Sequence, residues 1–152
     1  MRKITAELLT EKDACPDQID RFRERFPDGV DPLAITPEEA ARFDVGWAVH
    51  VLLPPAAWKA FEKAVAPARK THDEVMAPAW ETYREAVAPA WKEFREAQKA
   101  LNKEARAAAR EAYEEAVATA RKALSEVRNP AWKARGEAEA RAAIELFREY
   151  WR

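Results

Sequence analysis

The chain has 152 residues, with 26 Lys and Arg against 27 Asp and Glu for a net charge of -1. That balance argues against both the basic surplus of a nucleic-acid binder and the acidic field of a DNA mimic. At 48% hydrophobic and 35% charged residues, the composition fits neither a disordered chain nor a membrane protein.

Ten Pro and six Trp stand beside three Gly, one Ser, two Asn and two Gln. A sequence so poor in turn and sheet residues predicts an all-α protein with proline-marked corners. Met1 to Thr10 holds no apolar run of signal-peptide length, and no stretch approaches the roughly 18 consecutive apolar residues of a membrane helix. The expectation is a soluble, cytoplasmic protein that touches no membrane. Cys15 is the single cysteine, so an internal disulfide is impossible.

Residues 1–54 read as a small helical head. Cys15, Pro16 and Asp17 mark a helix start, with Ile19, Phe22 and Phe26 along one face. Pro27, Asp28 and Gly29 end that helix, and an extended connector follows from Val30 to Ile35. Thr36, Pro37, Glu38 and Glu39 form a capping box. Phe43, Trp47 and the Val51, Leu52, Leu53 cluster come next, broken by Gly46 and stopped by Pro54 and Pro55. A unit of this size buries too little surface to stand alone and needs something else to pack on.

From residue 55 to 129 the chain reads as one long arm with a repeat of eleven residues. Pro67, Pro78 and Pro89 open successive blocks. The third position carries Trp58, Arg69, Trp80, Trp91 and Tyr113, and the sixth carries Phe61, His72, Tyr83 and Phe94. Steps of three and four put these on one helical face, and a repeat of eleven gives about 3.67 residues per turn, a hendecad coiled-coil seam. At about 100° per residue the prolines lie roughly 150° from that seam and face water. The expectation is therefore one proline-bent amphipathic helix, concave on its aromatic side. Two alternatives stand beside it: a bundle of short helices with corners near 66, 77 and 88, and an antiparallel hairpin with its turn near Asn102. Asn129 and Pro130 predict a further break, followed by a C-terminal helix over 130–152 carrying Trp132, Ala138, Ile144, Phe147 and Trp151.

An aromatic stripe of this length needs a partner. The candidate interaction residues are Trp58, Phe61, Trp80, Tyr83, Trp91 and Phe94, and the expected partner is a second copy, as a homodimer, or a host or phage protein. No catalytic residue, cofactor site or metal site is proposed. Cys15 lies far in sequence from His50 and His72, which with it make no zinc spacing. The carboxylates fall beside Lys and Arg on polar phases of the repeat. Ser125 has no helical partner to act as a base. Charge is uneven, with seven basic and eleven acidic side chains in residues 1–55. Arg69, Lys70 and the Lys103, Arg106, Arg110 row, with Trp for base stacking, define a minor alternative, a single-stranded nucleic-acid binder.

The series Ala14-Cys15, Gln18, Phe22, Phe26, Thr36, Glu39, Phe43-Asp44, Trp47-Ala48 and Leu52-Leu53, followed by APAW-type blocks, resembles small proteins of bacteriophages, prophages and mobile elements. The resemblance covers residues 1 to about 99. It implies a phage or mobile-element accessory protein and carries over no catalytic residue. Together these readings give a non-enzymatic helical interaction protein, in one form an inhibitor of a host defence system. The alternative is a structural scaffolding rod in particle assembly.

Overall fold

The computed structural model describes residues 3–100 and 102–151. Among these residues six helices follow in order: α1 (Ala6–Glu11), α2 (Pro16–Arg25), α3 (Pro37–Ala40), α4 (Val45–Leu52), α5 (Pro55–Lys99) and α6 (Lys103–Tyr150). The all-α expectation holds. Among the described residues the extended pairing is limited to an isolated antiparallel bridge between Ile4 and Val30. Two compact units are formed, Met1–Lys70 with Lys133–Arg152, and Thr71–Trp132.

The short helices of the first unit start where the sequence places their caps. Cys15 precedes α2, with Pro16 in its first turn. Thr36 Oγ1 accepts from the Glu39 amide at 3.2 Å, and the Glu39 carboxylate accepts in return from the Thr36 amide, so the capping box closes. Its carboxylate also pairs with Arg25, which ties α2 to α3; that hydrogen bond, then the one from Thr36, holds the Glu39 carboxyl below its ordinary value. Asp44 Oδ1 accepts from the Trp47 amide at 2.8 Å and starts α4. The interruption expected at Gly46 therefore falls earlier, at residues 41–44, and Gly46 sits inside α4. A Cβ there would stand 3.6 Å from the Phe61 ring, an ordinary contact distance, so α4 lies against α5 at this point.

Both long helices contribute to the core of the first unit. Phe22, Phe26 and Phe43 form a ring cluster with centroids 5.3 to 5.8 Å apart. Against the buried residues of α1, α2 and α4 pack Ala57, Phe61 and Val65 from α5 and Ala143, Leu146 and Phe147 from α6, with Trp151 beyond it. The support that a 54-residue head needs is thus the first turns of α5 and the last turns of α6. Burying side chains such as Phe61 and Phe147 contributes roughly 1.5–3 kcal/mol each.

Pro67, Pro78 and Pro89 lie inside α5 without breaking it, and all three are exposed. The bundle with corners near 66, 77 and 88 is thereby excluded. Each proline forfeits one helix hydrogen bond, a loss limited at exposed positions because water reaches the carbonyl four residues earlier. Pro130 behaves in the same way. It is exposed and interior to α6, so the break expected at Asn129 and Pro130 does not occur and the 130–152 segment is the end of a longer helix. Contacts with α5 hold the helix just beyond the proline: Trp132 meets His72 at 5.4 Å between rings, and Arg69 Nε donates to Glu139 at 3.1 Å.

The chain turns instead between Lys99 and Lys103. The Ala100 amide donates to Ala97 at 3.0 Å and tightens the end of α5. Asn102 Oδ1 accepts from the amides of Glu104 and Ala105 at 2.9 and 3.2 Å, satisfying two otherwise unpaired donors at the start of α6. The arm expected over 55–129 is accordingly two antiparallel helices.

Gly29 has φ +74°, and a Cβ built there would lie 2.7 Å from the Ile4 carbonyl oxygen, which is held by the Val30 amide. Gly29→Ala is expected to cost about 1–3 kcal/mol through left-handed strain and that clash. Chemical unfolding of the two proteins measures the difference; equal stability would contradict the geometry.

Candidate interaction surface

The six side chains singled out from the repeat divide between the two units. Phe61 is fully buried in the core of the first unit, and Trp58 packs half-buried against it, stacked on Phe61 at 5.7 Å and edge-on to His50 at 5.0 Å. Phe61 is thereby closed to a partner, and Trp58 is largely spent on the core. This corrects the sequence reading: the first repeat faces α4 and α6 rather than another molecule.

Trp80, Tyr83, Trp91 and Phe94 belong to the 71–132 unit. Tyr83 and Phe94 are half-buried, while Trp80 and Trp91 are each 45% exposed. Trp80 meets Tyr83 edge-on at 5.8 Å. Trp91 and Phe94 close on Tyr113 of α6 at 5.3 and 5.5 Å. Eleven residues are three turns plus about 20°, so Trp80 and Trp91 lie nearly in line along α5.

This hairpin has little core. Among the described residues its buried hydrophobic side chains are Met76, Ala120 and Leu124, whereas Val75, Trp80, Trp91, Val127 and Trp132 are exposed. Those five are the exposed large hydrophobics among the described residues, and none belongs to the first unit. The sequence reading passed over Tyr113, Val127 and Trp132 as surface residues. Tyr113 was legible from its third position in the repeat; Trp132 was assigned to a separate helix by the expected break at Pro130.

Several charged side chains are paired with one another. Arg69 takes a third position of the repeat and replaces an aromatic contact with ionic ones, donating to Glu62 at 3.1 Å and to Glu139 at 3.1 Å. Arg135 also reaches Glu139 at 3.0 Å. The hydrogen bond that Arg69 donates to Glu139, aided by the charge of Glu62, raises Arg69 above its ordinary pKa. Arg110 is held by Glu114 at 2.8 Å. Two of the arginines considered for phosphate contacts are therefore engaged within the chain. Ser125 Oγ donates to the Arg121 carbonyl at 2.9 Å, a bond internal to α6. Among the described residues no helix is long and apolar enough to cross a membrane.

The first unit holds a cavity of about 120 Å³. Its walls come from α1, α2, α4 and α6 and the connector through Val30 and Ile35. Cys15 lies at its edge and is exposed. Nothing in the sequence pattern marks this space, because it arises from how aromatic residues of separate helices meet.

Comparison with protein-family models, with curated proteins and with solved structures yields no match.

His72 occupies a sixth position, where neighbouring repeats carry Phe61, Tyr83 and Phe94. Its Nδ1 faces Asp73 at 3.0 Å, and its buried Nε2 has no hydrogen-bond partner. An orphaned buried polar atom costs about 1–3 kcal/mol. His72→Phe, which keeps a ring against Trp132, is expected to stabilise the protein by about 1 kcal/mol, read as a higher thermal midpoint. A lower midpoint would mean that the imidazole has a partner in solution.

Proposed function

We propose that this chain is a non-enzymatic helical interaction protein, and that its 71–132 hairpin docks on another protein surface through Trp80, Trp91 and the exposed aliphatic residues near them. The observation that carries this reading is the concentration of exposed large hydrophobics in the hairpin, where among the described residues only Met76, Ala120 and Leu124 are buried hydrophobics. Side chains of this kind stay soluble at lower cost when covered, and Trp is enriched at interface centres.

A second copy of the chain fits the charge pattern. Residues 71–85 carry four carboxylates and one arginine, and residues 92–110 carry six basic and three acidic side chains. Antiparallel association of two hairpins would set the acidic stretch of each against the basic stretch of the other and complete a four-helix bundle. The resemblance of the head to phage and mobile-element proteins supports an accessory role, in which covering a surface of a host defence protein is a specific form.

Light scattering across a range of concentrations tests the self-association. The expected mass is above the 17.3 kDa of one chain, and the double variant Trp80→Ala, Trp91→Ala is expected to weaken association at least tenfold while retaining helical circular dichroism. A strict monomer at high concentration would remove the dimer. Growth without a defined end point would favour the scaffolding rod instead.

A further inference from the structure

The cavity in the first unit is bounded in part by core side chains: Ile4, Leu9, Phe22, Ile144 and Phe147 line it and are buried. Other residues of the lining, among them Phe26, Phe43, Trp47 and Leu52, are half-buried, so a small free molecule can enter the space from solvent. The volume of about 120 Å³ is several times what a water molecule needs, yet water requires two to four polar partners to stay. The polar side chains on the lining are Cys15, Gln18 and Asp44. Asp44 is already committed to the Trp47 amide, Cys15 is exposed, and apart from Gln18 the remaining side chains of the lining are hydrocarbon and aromatic ring. Apolar cavities of comparable size stay dry and accept benzene.

We propose that the head binds a small neutral molecule built on a single aromatic ring in this cavity. Phe22, Phe26, Phe43 and Trp47 offer ring faces and edges for offset or edge-on contact. No charged side chain but the committed Asp44 lines the space, so a carboxylate or ammonium ligand would lose its hydration without compensation. One polar substituent is accommodated beside Gln18 and Cys15. The inference rests on the head alone and is independent of the reading of the hairpin.

The test uses the full chain with benzene and phenol as probes and benzoate as the charged control. Saturable methyl shifts at Ile4, Leu9 and Leu52 are expected with one site per chain, together with a rise in thermal midpoint of about 3 °C or more at tenfold excess over Kd. Benzoate is expected to bind at least tenfold more weakly than benzene. Filling the space by Ala48→Leu, or separately by Ala14→Leu should one variant fold poorly, is expected to abolish the shifts. Absence of saturable shifts in the unaltered protein overturns the proposal, as does equal binding of benzoate or binding unchanged in a folded filled variant.

Discussion

The antiparallel return of α6 along α5 is the contact on which the rest of the structure depends. It begins at Asn102, whose side chain takes two backbone donors at the start of α6. It is continued by Tyr113 against Trp91 and Phe94 and by Trp132 against His72. Within the first unit the ion pair of Arg69 and Glu139 joins the same two helices. Because the chain returns, Ala143, Leu146, Phe147 and Trp151 reach the core of α1 to α4. Four short helices, none longer than the ten residues of α2, would otherwise have only their own marginal core.

The same contact explains how four prolines are tolerated inside helices. A helix standing alone would pay for each lost bond from its own small reserve, whereas α5 and α6 draw on contacts spaced along their length. Pro67, Pro78, Pro89 and Pro130 are all exposed, so none removes an apolar side chain from the seam. The repeat of eleven thus serves two ends: it keeps rings at one phase and prolines at the opposite one. Where the seam departs from aromatic residues, the substitution is ionic at Arg69 and imidazole at His72, and these two lie close together in α5.

Much of the architecture was legible because it rests on local chemistry. The cap at Thr36, the proline start of α2, the helix end at Pro27 to Gly29 and the phase of the prolines depend on residues within one or two turns, whereas the turn at Asn102 stood only as an alternative to a continuous arm. The 130–152 boundary was misread for the opposite reason: a proline after asparagine is a strong local stop, and only contacts with residues about 60 to 70 positions earlier keep α6 intact. The candidate surface divided along the same line. Periodicity finds the aromatic face of α5, but whether a given ring meets α4, α6 or solvent is a tertiary fact, so Phe61 and Phe94 look equivalent in the repeat and differ in the fold, one fully buried and the other half-buried. The head cavity has no sequence signal at all, since it is the space left among Phe22, Phe43, Trp47 and Phe147.

The return of the chain at Asn102 is tested most directly by a distance within the hairpin. With Cys15 replaced by Ser, spin labels on Glu85→Cys and Thr119→Cys occupy exposed positions of α5 and α6. Dipolar spectroscopy on labelled protein diluted into unlabelled protein reads the intramolecular separation. Antiparallel packing at helix contact distance predicts a separation within about 25 Å, labels included. One continuous helix through these 34 intervening steps would give roughly 50 Å at 1.5 Å per residue. A long distance, or a short one that vanishes on dilution, would contradict the account.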